Sequence, residues 1–364
     1  MYFVCMYNKL FTPISIGKHT IKNRVVAALP PTFLAEPDGN ITPQLLSFYK
    51  NLASKAPGVL ITEPFAISNL GKAWPRQPFI TEDKNFLAIS ELVERLRNKE
   101  SYSVMQLYHG GINSLPNIHN VVLGPSGITS NKLRCKVQEL TTSEIALIVN
   151  EYRQAATMAW NAGFQAIEIN AADSSLLHQF MSPITNKRND DYGFSNHNGS
   201  LFLKEVVNAV HDGARTLNII VKMSMRDLMP ASAGLTNSID TAIELKNLGV
   251  NVFHLTEGLS IGEASCLHPY LRGQSRPAPF AEDSLIFRNE TMALTIMDTS
   301  FIMPSEAEKQ LSKNVCDFIA LNRTIIREPA WVSMAMTNQP AEFYKKCANC
   351  LVCNGAVSCK FEKK

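Results

Sequence analysis

The chain has 364 residues, of which 45% are hydrophobic and 18% charged, with a formal net charge of only +3. This composition excludes a disordered chain, which combines few apolar residues with a high net charge. The nearly balanced charge gives no indication of a nucleic-acid-binding surface. No run of eighteen apolar residues occurs, and the first ten residues lack the basic and apolar regions of a secretory signal. We therefore predict a protein that neither binds nucleic acid nor enters a membrane.

The cysteine content indicates a reducing compartment. Eight cysteines in 364 residues are far fewer than a disulfide-stabilised secreted domain contains. We therefore predict a cytoplasmic protein whose scattered cysteines are free thiols, apart from a cluster of four in the last twenty residues.

Short apolar segments rich in β-branched residues alternate with helical patterns along the chain. The apolar segments are continuous, which is typical of strands that are buried on both faces. The predicted strands comprise residues 23–29, 58–63, 103–108, 165–170, 218–224, 251–256, 293–297 and 317–321. The predicted helices comprise residues 42–53, 83–97, 142–161, 201–211, 238–248, 304–312 and 329–337, with at best a short helix over 282–289.

Eight strands that alternate with helices over about 300 residues predict a (β/α)8 TIM barrel, an α/β fold. Two doubly wound domains are the competing arrangement, but the chain has no G-x-G-x-x-G turn after a strand. We assign residues 1–344 to the barrel and residues 345–364 to a cysteine-rich C-terminal tail. The active site of such a barrel lies at the C-terminal ends of its strands, so candidate site residues are sought there.

Several segments of the sequence resemble the Old Yellow Enzyme family of FMN-dependent oxidoreductases. They include LFTPISIGKHTIKNRVV near the start, GVLITE at the second strand, MQLYHGG at the third and DFIALNRTIIREPAW at the eighth. The most specific is AGFQAIEINAADSSLLHQFMSPITNKRNDDYG, which contains the pattern LHQFMSP-x-x-N-x-R-x-D-x-YG. The resemblance extends over roughly residues 10–340. It implies the same (β/α)8 fold, an FMN cofactor and NAD(P)H as co-substrate.

Three residues match positions that hold FMN in this family. Gln106 matches a glutamine that hydrogen-bonds the pyrimidine edge of the flavin, where an amide can both donate and accept. Lys222 matches a basic residue near flavin N1, where a cation stabilises the negative charge of the reduced flavin. Arg323 matches the phosphate-binding arginine, whose planar guanidinium forms bidentate hydrogen bonds.

Other expected cofactor contacts depart from the family pattern. After the first strand, the family's Ala-Pro-Met-Thr/Cys is replaced by Ala-Leu-Pro-Pro-Thr. Either Pro31 or, after a one-residue shift, Thr32 is then expected near flavin N5. Glycines of the phosphate loops are replaced by Thr299, Ser300 and Asn322. Glycines there let backbone N–H groups approach a phosphate closely, whereas Thr299 and Ser300 can donate from their hydroxyls instead.

The acceptor-binding positions depart further. The family's pair of hydrogen-bond donors on the fourth strand corresponds to Asn170 and Asp173. Asn170 can still donate a hydrogen bond, but an ionised Asp173 repels a developing enolate oxygen. The tyrosine that protonates the substrate α-carbon in many family members corresponds to Ser175, whose hydroxyl is shorter and a much weaker acid.

These matches predict an FMN-dependent NAD(P)H oxidoreductase. Its acceptor is predicted to be an electron-poor small molecule, either an activated alkene or a quinone, reduced by hydride transfer through flavin N5. The alternative is an FMN- or ligand-binding barrel that has lost ene-reductase catalysis. A metal-dependent hydrolase is disfavoured because the strand ends lack clustered His, Asp and Glu ligands. A homo-oligomer is compatible with either function.

The tail contains Cys347, Cys350, Cys353 and Cys359 in the spacing C-x2-C-x2-C-x5-C. Four thiolates at this spacing suit one [4Fe–4S] cluster or a zinc site with four cysteine ligands. Larger members of the resembled family carry a cluster just after the barrel, although their last gap is longer. The sequence leaves three alternatives open, namely an iron–sulfur cluster, a zinc site, or reduced thiols without a metal.

Overall fold

The computed structural model describes residues 6–80, 85–97, 101–128, 135–261, 264–266, 280–299 and 301–344. Its strands are β1 Ile14–Ile16, β2 His19–Ile21, β3 Val25–Ala28, β4 Val59–Ile61, β5 Phe65–Ala66, β6 Tyr102–Tyr108, β7 Val121–Gly124, β8 Lys136–Glu139, β9 Ala166–Ala171, β10 Asn218–Ser224, β11 Val250–Thr256, β12 Leu259–Ile261, β13 Ala264–Cys266, β14 Leu294–Asp298 and β15 Phe318–Leu321. Its α-helices are α1 Pro43–Ala53, α2 Phe86–Arg97, α3 Thr142–Ala162, α4 Leu176–Phe180, α5 Leu201–Gly213, α6 Leu235–Asn247, α7 Ala281–Thr291, α8 Pro304–Ser312, α9 Arg323–Arg327 and α10 Trp331–Met336.

Within these ranges, eight parallel strands close into a barrel. Their order is β3, β4, β6, β9, β10, β11, β14 and β15, and β15 pairs again with β3. The short β5 continues the second strand alongside β6. Each barrel strand lies within two residues of its predicted bounds, and the predicted (β/α)8 barrel is confirmed. The prediction succeeded because strands buried on both faces are marked by continuous apolar segments.

Alternate residues of the barrel strands point into the barrel, and their character changes along each strand. Near the N-terminal ends these positions are apolar and form one packed cluster, which includes Val104, Ala166, Ile220, Val252 and Ile296. Two residues further along the same strands, the inward positions are polar: Gln106, Glu168, Lys222, His254 and Asp298. The barrel interior therefore has an apolar lower part and a polar upper layer, which forms the floor of the site described below.

The helices pack around the barrel, and α3 illustrates how the sequence sets their bounds. The Thr141 hydroxyl accepts a hydrogen bond from the Glu144 N–H, while the Glu144 carboxylate accepts one from the Thr141 N–H. This reciprocal capping box satisfies backbone donors at the start of the helix. The helix ends at Gly163, whose φ of 93° is a left-handed conformation that glycine adopts without steric cost.

Some elements differ from the prediction. The short helix expected over 282–289 is α7, an eleven-residue helix. The antiparallel hairpin β1–β2 was not predicted, because each of its strands has only three residues. This hairpin adds Ile16 and Ile21 to the lower apolar cluster and covers that end of the barrel. Among the described helices, none combines the length and the apolar character needed to cross a bilayer.

Candidate active site

A cavity of about 320 Å³ opens at the C-terminal ends of the barrel strands. Its lining comes from β3, β6, β9, β10, β11 and β14 and from loops that follow barrel strands, including the one after β15. Eight of the residues proposed from the sequence border it, namely Pro31, Gln106, Asn170, Asp173, Lys222, Thr299, Asn322 and Arg323. Closure of the barrel thus brings together, at one end, residues that are far apart in the chain.

Two proposed residues do not border the cavity, because their hydroxyls have partners elsewhere. Ser175 is fully buried; its Oγ donates to the Asn170 carbonyl at 2.8 Å and accepts from the His178 N–H, which caps α4. Thr32 donates from its N–H and its Oγ1 to the Glu63 carboxylate, at 2.8 and 2.6 Å. Of the two alternatives after β3, only Pro31 is therefore at the cavity. The proposed Ser300 lies outside the described residues.

Thr299 and Arg323, which follow β14 and β15 at the cavity, lack partners among the described residues. The Thr299 hydroxyl is buried and makes no hydrogen bond with any residue that the structure describes. Arg323 begins α9, and among the described residues none forms an ion pair with its guanidinium. A hydroxyl and a guanidinium that lack internal partners are suited to binding an anionic group.

On the β6–β9 side, by contrast, the two amide side chains are joined. The Asn170 Nδ2 donates to Gln106 Oε1 at 3.0 Å, and the Gln106 Nε2 donates to Glu168 Oε1 at 2.6 Å. Asn170 Oδ1 accepts from the Ala172 N–H at 3.0 Å. Because a primary amide has two N–H donors and two acceptor lone pairs, Gln106 keeps one of each for a ligand.

The ammonium of Lys222 lies between two carboxylates. Its Nζ is 2.7 Å from Asp173 Oδ2 and 3.2 Å from Asp298 Oδ2. Burial acts to lower the pKa of Lys222, but Asp173 and Asp298 more than offset this effect and raise it. Lys222 therefore stays protonated. An ammonium has three N–H groups, so one of them remains for a ligand.

His254 links this arrangement to the barrel interior. Its Nδ1 is 2.7 Å from Glu168 Oε2, and its Nε2 makes a longer charge contact of 3.5 Å with Asp298 Oδ2. Burial acts to lower the pKa of His254, but Glu168 and Asp298 raise it to about 9, so that the imidazole is cationic at neutral pH. Glu168, His254, Asp298, Lys222 and Asp173, here called the ion chain, thus alternate in charge and contain one more anion than cations.

Glu168, His254 and Asp298 were not among the residues predicted to bind the cofactor or the acceptor. Each is a titratable residue within an otherwise apolar strand segment, in QAIEIN, NVFHLT and ALTIMD. A titratable side chain in a buried strand requires a partner. That signal was present in the sequence, but only barrel closure shows that the three residues are partners of one another.

An aromatic wall borders the cavity beside these charges. The rings of Trp74 and Tyr108 are 5.3 Å apart and inclined by 47°. Tyr108 is the last residue of β6, next to β9, which carries Asn170. Burial, with a further contribution from Asp173, raises the pKa of the Tyr108 phenol, so that it is protonated at neutral pH. The cavity therefore contains a phenol, although Ser175 replaces the family tyrosine.

The residues that the structure describes include no group of three or more His, Cys, Asp or Glu side chains arranged to hold a metal ion. Cys347, Cys350, Cys353 and Cys359 lie outside the described residues. The metal site in the tail stays a prediction.

Comparison with known proteins identifies the family. Residues 9–342 match the NADH:flavin oxidoreductase / NADH oxidase family. The chain is 28% identical over 334 residues to an NADPH dehydrogenase of Bacillus subtilis (strain 168), covering 91% of this chain and 95% of that protein. It is also 28% identical over 349 residues to an NADH oxidase of Thermoanaerobacter brockii, covering 94% of this chain and 53% of that protein.

A solved structure supports the same conclusion at the level of the fold. The Old Yellow Enzyme homologue from Zymomonas mobilis matches with a TM-score of 0.79 and 21% identity, covering 96% of this chain and 97% of that chain. The chain belongs to the NADH:flavin oxidoreductase / NADH oxidase family, and the resemblance to the Old Yellow Enzyme family is confirmed. It is an oxidoreductase of the class that uses NADH or NADPH.

Proposed function

We propose that this protein transfers hydride from NAD(P)H to an electron-poor small molecule through a bound FMN. The observation that carries the proposal is that Gln106, Lys222 and Arg323, from three different strand ends, border one cavity. They offer an amide, an ammonium and a guanidinium, which are the groups expected at the ring edge, at N1 and at the phosphate. FMN, when bound, would accept hydride at N5 and pass it to the acceptor.

The polar groups of the cavity fit this cofactor. Thr299 and Arg323, which lack partners among the described residues, would donate to the phosphate, with Asn322 beside them. Gln106 retains one donor and one acceptor for the pyrimidine edge, and Lys222 retains one N–H. Pro31 would provide an apolar contact without a hydrogen bond. The donor set is thus complementary to a planar ring with acceptor oxygens at one end and a phosphate at the other.

We infer that quinones are better acceptors than simple enones. Enone reduction needs a donor that polarises the carbonyl and an acid that protonates the α-carbon. Asn170 Nδ2 donates to Gln106 Oε1 at 3.0 Å and to Asp173 Oδ2 at 3.4 Å, so both of its N–H groups are engaged. Asp173 is paired with Lys222, and Ser175 is engaged at the start of α4. A quinone needs less assistance because its own oxygens take the charge. For activated alkenes, the candidate acid is Tyr108, since this phenol borders the cavity.

The direct test is to purify the protein and identify any bound flavin by its absorption spectrum and, after release, by mass. The expected result is bound FMN that is bleached by NADH or NADPH and recolours when a quinone is added. Absence of flavin, also after incubation with FMN, would contradict the proposal. Bound FMN that neither NADH nor NADPH bleaches would favour the alternative, a binding barrel without turnover.

The four cysteines of the tail require a test of their own, since they lie outside the described residues. We propose to distinguish a [4Fe–4S] cluster, a zinc ion and metal-free thiols by elemental analysis of the purified protein. Cys350→Ser with Cys353→Ser should abolish the metal content in either of the first two cases, while FMN binding at Arg323 and Gln106 should persist.

A further inference from the structure

We propose that Asp298 lowers the reduction potential of the bound flavin by placing an unmatched negative charge beside Lys222. The inference rests on the proposed FMN site, and it concerns a residue for which the family resemblance gave no role. Asp298 is the last residue of β14 and borders the cavity. Its Oδ2 contacts both Lys222 Nζ at 3.2 Å and His254 Nε2 at 3.5 Å.

The surroundings of Asp298 keep it ionised. Burial acts to raise the pKa of this carboxyl, but Lys222 and His254 outweigh burial and hold the pKa well below its usual range. At neutral pH, Asp298 is therefore a carboxylate between two cations. A nearby cation favours the charged form of an acid, which explains why a carboxylate is tolerated in the upper layer of the barrel.

Asp298 is the residue that leaves the ion chain with a net negative charge. Lys222 has a second, closer carboxylate in Asp173 at 2.7 Å, and His254 has one in Glu168 at 2.7 Å. Those two pairs are each neutral. The Asp298 carboxylate is shared by both cations and matched by neither, so its removal would leave the ion chain neutral.

A net negative floor opposes flavin reduction, because reduction adds negative charge to the ring system. The positive charge of Lys222 alone would favour reduction, but the net charge of the ion chain that contains it is negative. Asp173 also contacts Lys222, yet its side chain is 46% exposed, whereas that of Asp298 is 11% exposed. Charge interactions weaken in water, so Asp298 should have the larger effect of the two.

The experiment compares flavin potentials, measured by spectrophotometric titration against reference dyes, in the parent and in Asp298→Asn. Asparagine keeps the volume and can still accept a hydrogen bond from Lys222, but it carries no charge. We expect the equilibrium constant for flavin reduction to rise at least about tenfold, a positive shift of about 30 mV for a two-electron couple. Asp173→Asn should shift the potential in the same direction by less, and Lys222→Met should shift it to more negative values.

Glu244→Gln is the matched control, because it also removes one carboxylate from an ion pair. Glu244 pairs with Lys204 at 2.8 Å on the helical layer, and neither residue borders the cavity. The flavin potential of the Glu244→Gln variant should equal that of the parent. If Asp298→Asn loses the flavin, Asp298→Ala provides the same removal of charge without an amide that could pair wrongly with His254.

The outcomes separate this inference from the function on which it rests. A parent protein that binds no FMN would overturn both. If the parent binds FMN but the flavin potential of Asp298→Asn is equal to that of the parent or more negative, the inference alone is overturned and the proposed function stays intact. A positive shift in Asp298→Asn together with an unchanged Glu244→Gln would support it.

Discussion

At the cavity, the residues that follow β14 and β15 differ from those of β6, β9 and β10 in whether their polar groups are already paired. On the β14–β15 side, Thr299 and Arg323 have no partners among the described residues. On the β6–β9 side, Asn170 is joined to Gln106 and Asp173 is joined to Lys222. Unpaired buried groups are costly unless a ligand completes them, whereas paired groups are stable without one. Thr299 and Arg323 are therefore open to a ligand, whereas Gln106 and Lys222 each keep only part of their hydrogen-bonding capacity for one.

This difference matches the way in which the residues depart from the family pattern. On the predicted phosphate side, Arg323 matches the family arginine, although Thr299, Ser300 and Asn322 replace glycines. On the predicted acceptor side, no residue matches, because Asn170, Asp173 and Ser175 replace a donor pair and a tyrosine. Binding of a cofactor and processing of an acceptor depend on different residues, so one can change without the other. The two sides can therefore be tested separately.

The largest effect is expected for the acid on the acceptor side. Tyr108→Phe should lower the rate at which the reduced protein reduces an activated alkene by roughly 10²–10⁴-fold, the usual contribution of a general acid. The rate with a quinone and the rate of flavin bleaching by NAD(P)H should stay near those of the parent. Rapid mixing of the reduced protein with each acceptor measures these steps separately.

The control for this variant is Tyr102→Phe, in the same strand but at the other end of the barrel. Tyr102 hydrogen-bonds Gln165 and Asn218 and does not border the cavity. Equal losses with alkene and quinone in Tyr108→Phe would show that the ring merely shapes the site. An undiminished alkene rate would mean that solvent or another residue supplies the proton.

The barrel was more predictable from the sequence than the pairing of charges inside it. All eight barrel strands were located within two residues, because burial on both faces leaves a local, continuous apolar signal. Pairing could not be predicted in the same way, since Lys222, Asp298 and His254 come from three strands and meet only when the barrel closes. The orientation of Ser175 was likewise hidden, because a serine at a helix start is equally compatible with capping and with catalysis.

Next to Pro31 in the chain, Thr32 pairs with Glu63 outside the cavity lining, and the burial of Glu63 predicts a pH dependence of stability. Burial raises the pKa of Glu63 to about 7, against the opposing hydrogen bonds from Thr32. The pKa of Glu63 is thus higher in the folded protein than the unfolded value of 4.5, so the folded state binds this proton more tightly. The resulting stabilisation is complete below pH 4.5 and is lost as the pH rises through about 7. The loss amounts to about 3 kcal/mol.

Glu63→Gln should therefore remove much of the decrease in the free energy of unfolding between about pH 4.5 and about pH 7. Urea unfolding at several pH values in this range measures how steeply the free energy of unfolding changes with pH. The surface variant Glu91→Gln is the control. A slope in Glu63→Gln as steep as in the parent would show that other groups cause the dependence.

On the anion-binding side, Arg323→Ala should weaken FMN binding by about 1.5–3 kcal/mol, the range for hydrogen bonds to charged groups. Arg323→Lys should lose less, because it keeps the charge but not the planar fork. Flavin fluorescence titration of the deflavinated protein gives both affinities. Arg95→Ala, which removes a surface ion pair with Glu91, is the control. Unchanged affinity in Arg323→Ala would place the phosphate at other residues.

The smallest effect is expected at Ser175, where the structure and the family position suggest different roles. Its hydroxyl caps α4 and is fully buried, so Ser175→Ala should lower the free energy of unfolding by about 1 kcal/mol, the usual cost of losing an N-cap. The rates with quinone and alkene should both be retained, because the side chain does not border the cavity. Thermal unfolding and the two acceptor assays measure these quantities on the same sample. Unchanged stability combined with a selective loss of alkene reduction would instead make Ser175, rather than Tyr108, the source of the proton.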